Sequence, residues 1–214
     1  MSPVISLAER ATASTFSRRR CCRAASVFRN RVAFEPGVKQ LGGEPIYILG
    51  RLGEREAVED IARYLSNWFD TIVIRAPEYQ VLEQMARAAR VPIINARTRR
   101  NHPCEILGDL AFVREVKGSL TGLTVVFVGE PTNLCHSWFE AAVRFPIQVI
   151  QVCPSGYEVN GDYVRRLMQD AVGTVTSTQE LDSSLRSADV VYTDCWPSRH
   201  DEESCERIAR DFGA

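Results

Sequence analysis

The strongest constraint on the fold is a regular alternation of strand-like and helix-like segments that begins after residue 44. Short apolar runs such as TIVIRA (71–76) and TVVFVG (124–129) are typical of strands buried on both faces. Segments with a helical spacing of apolar residues follow them. This alternation predicts an α/β protein with two doubly wound parallel-sheet lobes, in which right-handed helical crossovers join parallel strands.

The chain is expected to have three parts. They are a poorly structured basic segment over residues 1–28, a first lobe over 29–118 and a second lobe over 119–214. The stretch GSLTGL (118–123) contains two glycines and predicts a hinge between the lobes. The predicted strands are 45–49, 71–76, 91–96, 124–129, 147–153, 174–176 and 189–194, and the predicted helices are 54–69, 79–89, 103–116, 133–143, 161–171 and 178–187.

The N-terminal segment differs from the rest of the chain in charge. Residues 1–31 contain seven arginines and one acidic residue, although the whole chain has a net charge of −1. This composition is that of a transit peptide, of a basic arm for nucleic acid or of a poorly packed chain end. No aromatic residue lies among the arginines of 18–23 as a stacking platform, which disfavours nucleic acid. The arginine-rich run SRRRCCRAAS is not expected to form a central strand.

Composition excludes several classes of protein. With 45% hydrophobic and 25% charged residues and no run of 18 apolar residues, the chain is expected to be a soluble globular protein without a membrane partner. The seven cysteines form no CxxC pair, which predicts reduced thiols in the cytoplasm and no metal site. The turn GEPTN (129–133) lacks the glycines of a dinucleotide site, so no cofactor is expected.

Polar side chains follow several of the predicted strands, namely Arg75, Asn95, His102, the GEPTN turn and Asp194. Because ligands of open parallel sheets bind at the carboxyl ends of strands, this set favours a small anionic or zwitterionic substrate. His102 precedes Pro103, which suits the first position of a helix. Its side chain is therefore expected either to cap that helix or to face a ligand.

Four segments resemble motifs of the aspartate and ornithine carbamoyltransferases, in the family's order. HPCEILGDL (102–110) resembles His-Pro-x-Gln-x-Leu-x-Asp, and GEPTNLCHSW (129–138) resembles Gly-Asp-x-x-Asn-x-x-x-Ser. RNRVAFEPGVKQLGG (29–43) resembles the carbamoyl-phosphate loop, and ADVVYTDCWPS (188–198) resembles the Asp-x-Trp-x-Ser segment of the ornithine branch. The resemblance extends from residue 29 to about residue 212.

The resemblance implies transfer of a carbamoyl group from carbamoyl phosphate to the amine of ornithine or a related amino acid. It implies His102 and Arg75 as catalytic residues, and it places the carbamoyl-phosphate ligands at Arg29, Asn30, Arg31, Arg75, His102 and Glu105. It places the amino-acid ligands at Asn133, Asp194 and Ser198. The family further implies a homotrimer, a cytoplasmic location and a place in arginine biosynthesis.

Each assigned residue also has a plainer interpretation. The two N-terminal arginines would be parts of a solvated basic arm, and Arg75 would be a partner in a surface salt bridge. Asn133 would cap its helix, and Asp194 and Ser198 would be turn residues.

The sequence also departs from the family pattern. Glu105 stands where the family has Gln, and Val27, Phe28 and Asn30 replace hydroxyl residues of the phosphate loop. Arg199-His200 stands for Met-Gly, and the family's C-terminal His-Cys-Leu-Pro segment has no counterpart in the sequence. Both lobes are therefore expected to be incomplete at the chain ends, the second one by C-terminal truncation. The alternative function is a catalytically degenerate homologue or fragment that binds ligand weakly or has no activity.

Overall fold

A computed structural model of the chain describes residues 20–24, 28–48, 50, 52–195 and 202–213. Contacts divide the chain into two compact units, Met1–Arg99 and Arg100–Ala214. Within the described residues each unit contains a four-stranded parallel sheet with helices between its strands. The expected α/β class with parallel-sheet lobes is confirmed.

The first unit has a sheet whose spatial order differs from its chain order. Its elements are β1 (Arg20–Ala24), α1 (Phe28–Gln40), β2 (Glu44–Ile48), α2 (Val58–Leu65), β3 (Thr71–Arg75), α3 (Tyr79–Ala88) and β4 (Ile93–Arg97). The strands lie in the order β2-β1-β3-β4, and all neighbours are parallel. Such an order requires crossovers on both faces of the sheet, as expected for a doubly wound fold.

Strand β1 lies inside this sheet, where Cys22 is in register with Ile46 of β2 and with Ile72 of β3. The prediction that this arginine-rich run would not form a central strand is wrong. Backbone pairing along both edges holds β1 in place, and strand propensity depends more on such context than on residue type. The remainder of the basic segment, residues 1–19 and 25–27, lies outside the described residues. Helix α1 is likewise not predicted from the sequence.

Strand β3 accounts for the continuous apolar run TIVIR, because it is buried on both faces. Ile72 and Ile74 belong to one cluster with α2 and α3, in which Ala62 is fully buried. Val73 belongs to a second cluster, against which Val38 of α1 packs. Helices on both faces thus hold the end of β3, and with it Arg75, in a fixed position.

The second unit repeats the same plan. Its elements are α4 (Pro103–Lys117), β5 (Thr124–Val128), α5 (Asn133–Arg144), β6 (Gln148–Val152), α6 (Gly161–Leu167), β7 (Thr174–Thr178), α7 (Leu181–Arg186), β8 (Val190–Tyr192) and α8 (Glu202–Asp211). The strand order is β7-β6-β5-β8, again with parallel neighbours.

Helix α4 packs within the second unit. Ile106 and Leu110 share one buried cluster with Trp138 and Phe139 of α5. Gly118 ends α4 in the left-handed conformation at φ 81°, which glycine adopts without strain. By its packing, α4 therefore belongs to the second unit. The sequence instead assigns α4 to the lobe of residues 29–118, and that assignment of ligand-binding lobes stays a prediction.

Among the described residues no helix has the length and apolar character needed to cross a bilayer.

Candidate functional site

Each sheet has one place where the order of strands reverses, which we call its switch point. In the first unit it lies between β1 and β3, and in the second it lies between β5 and β8. Ligands of open parallel sheets bind outside the carboxyl ends of the strands at such a place. Each unit therefore carries a candidate subsite of its own.

The subsite of the first unit brings Arg75 and Asn30 together. Arg75 ends β3, and its Nη1 donates to Asn30 Oδ1 at 3.3 Å. Asn30 lies in the first turn of α1, and its Nδ2 donates to the carbonyl oxygen of Ala96 at 3.1 Å. One amide thus joins the start of α1 to the ends of β3 and β4, and it fixes the guanidinium of Arg75 near a helix N-terminus, where anions are stabilised.

Arg31 is engaged differently. Its Nε donates to Glu35 Oε1 at 2.8 Å, and its guanidinium lies 4.6 Å from the centre of the Tyr47 ring. Its side chain is 52% exposed, so the pairing with Glu35 is a solvated contact along one helix face. Of the predicted phosphate ligands, Asn30 and Arg75 are brought together and Arg31 is held by Glu35. The Arg29 side chain and Ser198 lie outside the described part of the structure.

His102 is the residue that precedes α4, and it is buried with 6% of its surface exposed. Its side chain makes no capping hydrogen bond to the helix, so the cap interpretation is not supported. Pro103 supplies the first helical position, where its missing N–H costs nothing. The imidazole thus stands at the positive end of a 15-residue helix without closing that end.

Glu105 lies beside His102, one helical turn further on. Its Oε2 is 3.1 Å from His102 Nε2, and its side chain is 47% exposed while that of His102 is 8% exposed. An N–H donor at His102 Nε2 is therefore directed at the carboxylate of Glu105. An ionised carboxylate only accepts hydrogen bonds, so Glu105 offers an anionic substrate no donor, in contrast to a glutamine.

The subsite of the second unit lies at the ends of β5 and β8. Thr193 Oγ1 donates to the Val128 carbonyl oxygen at 3.0 Å and ties the two strand ends together. A cleft there is lined by Phe127, Val128, Gly129, Glu130, Thr132, Thr193, Asp194 and Cys195. Asp194 Oδ1 accepts the backbone N–H of Cys195 at 2.6 Å. Asp194 is therefore among the residues that line this cleft, and the next residue of the chain engages its carboxylate.

Asn133 is the first residue of α5, and it is buried with 9% of its surface exposed. The N-cap position belongs to Thr132, so Asn133 is not the helix cap that the plainer interpretation requires. Gly129, at φ 135°, makes the turn that leads from β5 towards this helix.

Sequence reasoning missed a hydrogen-bonded group that joins residues 101 and 102 to α5. The backbone N–H of His102 donates to Ser137 Oγ at 2.7 Å. Asn101 Nδ2 donates to both carboxylate oxygens of Glu140, at 3.1 and 2.8 Å. Ser137 belongs to a motif that the sequence displays, but its partner lies 35 positions away, and no local pattern indicates that contact.

Two titratable side chains beside this group are neutral at pH 7. Burial, together with the carboxylate of Glu140, raises the pKa of Tyr163 to about 12, and its hydroxyl donates to Glu140 Oε1 at 3.2 Å. Burial, with a smaller contribution from Arg100, lowers the pKa of His136, whose ring meets that of Tyr163 edge-on. Across the described residues no three His, Cys, Asp or Glu side chains are arranged to hold a metal ion.

Each half of the chain matches a model of a known protein family. Residues 24–115 match the family model described as aspartate/ornithine carbamoyltransferase, carbamoyl-P binding domain. Residues 121–214 match the model described as aspartate/ornithine carbamoyltransferase, Asp/Orn binding domain.

Similar individual proteins include several ornithine carbamoyltransferases. An ornithine carbamoyltransferase of Chlorobaculum tepidum is 40% identical over 185 residues, which cover 84% of this chain and 54% of the relative. That of Syntrophus aciditrophicus is 38% identical over 187 residues, covering 86% of this chain and 62% of the relative. The solved ornithine carbamoyltransferase of Pyrococcus furiosus superposes with a TM-score of 0.83 at 30% identity, covering 92% of this chain and 65% of that one. The chain thus spans a little over half the length of these curated relatives.

Proposed function

Because the chain belongs to the aspartate/ornithine carbamoyltransferase family, we propose that it transfers a carbamoyl group from carbamoyl phosphate to the amine of ornithine or a related amino acid. The observation that supports the proposal is that Arg75, bonded to Asn30, ends the strand at the switch point of one sheet, while Asp194 follows the strand at the switch point of the other. Residues 29–118 would form the carbamoyl-phosphate lobe and residues 119–214 the amino-acid lobe.

The chemistry assigns a task to each candidate residue. The amine nitrogen attacks the carbonyl carbon and forms a C–N bond, after which the C–O bond to phosphate breaks and the amine loses a proton. Carbamoyl phosphate is a dianion, and guanidinium groups bind phosphate oxygens through paired hydrogen bonds, which suits Arg29, Arg31 and Arg75. Asn30 adds an amide on the same side and holds Arg75.

His102 has the role of stabilising charge on the carbamoyl oxygen. That oxygen becomes negative in the tetrahedral transition state, and a preorganised donor in comparable sites stabilises it by about 2.7–4 kcal/mol. Burial of His102 at the start of α4 supports this role, because a fixed donor loses no orientational freedom during the reaction. On the amino-acid side, Asp194 would pair with the substrate ammonium, and Asn133 and Ser198 would bind its polar head.

The family resemblance further supports a homotrimer, a cytoplasmic location and a place in arginine biosynthesis, which we include in the proposal. Incubation of the purified chain with carbamoyl phosphate and ornithine tests the activity, with citrulline and phosphate as the measured products. Products formed in equal amounts are expected, and their absence at high protein concentration contradicts the proposal.

The contact between Glu105 and His102 favours a second candidate, a degenerate homologue that binds ligand without turnover. A carboxylate next to the carbamoyl ligand repels a dianion and engages the donor that the reaction needs. Calorimetry with carbamoyl phosphate separates the two functions. Binding without product formation supports the degenerate homologue, and ordinary turnover rejects it.

A further inference from the structure

The hydroxyl of Ser137 bridges two residues assigned to different substrates. It accepts the backbone N–H of His102 at 2.7 Å and donates to the carbonyl oxygen of Asn133 at 2.7 Å. All three residues are buried, with Ser137 only 2% exposed. A hydroxyl has one donor and two acceptor positions, so a single group satisfies both contacts.

The main chain of His102 needs such a partner. His102 has φ −140° and ψ 68°, which lies outside the helix that it precedes, and Pro103 brings no N–H. A buried backbone N–H without an acceptor is destabilising, so removal of the Ser137 hydroxyl would favour a shift of this segment. The imidazole would move with its backbone.

A second contact holds the same segment to the same helix. Asn101 is bound by Glu140, which also accepts the hydroxyl of Tyr163 from α6. Asn133, Ser137 and Glu140 are spaced i, i+4 and i+7 along α5, so they lie on one face of the helix. One face of α5 therefore begins with the proposed amino-acid ligand Asn133, and further along it binds Asn101 and the backbone of His102.

We propose that Ser137 is a positioning residue that fixes His102 to the first turn of α5, and thereby holds the carbamoyl ligand His102 and the amino-acid ligand Asn133 in one constant relationship. The proposal rests on the proposed function for the roles of these two residues. The bridge itself is a property of the second unit alone.

Substitutions at Ser137 isolate the hydroxyl. Ser137→Thr keeps it, and Ser137→Val has nearly the same shape without it, so the difference between these variants reports the hydroxyl rather than side-chain volume. Ser137→Ala removes it with the smallest change in size. Ser184→Ala is the matched control, because Ser184 is also buried and its Oγ donates to a carbonyl four residues back, that of Glu180, at 2.6 Å.

Hydrogen exchange in the absence of substrate tests the bridge. The His102 amide is expected to exchange about tenfold faster or more in Ser137→Val and Ser137→Ala than in Ser137→Thr, because its acceptor is lost. The Ser184→Ala control is expected to leave that amide unchanged. Equal exchange at His102 in the Thr and Val variants overturns the proposal.

Binding of carbamoyl phosphate tests the positioning role. Ser137→Val is expected to weaken binding about tenfold relative to Ser137→Thr by calorimetry, and to add no further loss in a His102→Ala background. An equal loss in both backgrounds overturns the proposal, because Ser137 would then not act through His102. If the unaltered chain binds no carbamoyl phosphate, the proposed function fails while hydrogen exchange still decides whether the bridge exists.

Discussion

Glu105 Oε2 lies 3.1 Å from His102 Nε2, so the residue that replaces the family's glutamine touches the side chain assigned to the carbamoyl oxygen. This contact places Glu105 within reach of any ligand that His102 binds. Two unit charges about 4 Å apart at an effective dielectric near 20 interact by about 4 kcal/mol, so we expect this carboxylate to lower the affinity for an anionic ligand.

Glu105→Gln is therefore expected to tighten carbamoyl phosphate binding about 10- to 100-fold, because it removes the repulsion and supplies an amide donor. Calorimetry at constant pH measures the effect. Glu115→Gln is the control, since it removes the same charge from an exposed position of α4 about 15 Å along the helix axis. Equal affinities in both variants would show that Glu105 does not face the substrate.

Asn30→Ala is expected to weaken carbamoyl phosphate binding about three- to tenfold, because the Arg75 guanidinium loses an acceptor that helps to orient it. Arg75→Lys is expected to cost more, since an ammonium does not bind phosphate oxygens in pairs. Asn67→Ala is the matched control, because Asn67 Oδ1 also accepts from an arginine, Arg90, in an exposed contact just beyond the C-terminal ends of α2 and α3. The prediction is wrong if Asn30→Ala and Asn67→Ala bind carbamoyl phosphate with the same affinity.

The elements that can be predicted from the sequence are those with a local pattern of residue types, such as a continuous apolar run or a proline at a helix start. The run TIVIR is apolar at every central position because β3 is buried on both faces, and the predicted start of α4 at Pro103 is confirmed. Strand β1 escaped prediction because its position depends on pairing with β2 and β3, which are distant in sequence. The bridge at Ser137 was not predicted for the same reason, because a serine in a helix does not indicate from its local sequence which distant residue it will bind.

The pKa of His136 predicts a loss of stability in mild acid. Burial, with Arg100 nearby, lowers this pKa below the value of 6.5 that the unfolded chain would show. The unfolded state therefore binds more protons, so the stabilising contribution is present above pH 6.5 and is lost as pH falls through the folded pKa. His136→Gln is expected to flatten the dependence of the unfolding free energy on pH in this window, as measured by urea denaturation. Parallel curves for the two proteins would contradict the prediction.

Thiol reactivity is expected to follow burial. Burial, with Glu158 nearby, raises the pKa of Cys153 to about 11, and burial raises the pKa of Cys135 further, so both are thiols at pH 8. Cys195 is exposed beside Asp194. Iodoacetamide at pH 8, followed by peptide mapping, is expected to label Cys195 well before Cys135 and Cys153. Labelling of all three at similar rates in the folded protein would refute this order.

Transfer of label from carbamoyl phosphate to ornithine tests the central claim most directly. With carbamoyl phosphate labelled at carbon, the chain is expected to produce labelled citrulline and an equal amount of phosphate, and His102→Ala is expected to abolish this transfer. Release of phosphate without labelled citrulline, or equal transfer by the His102→Ala variant, would contradict the assignment of carbamoyl transfer to this site.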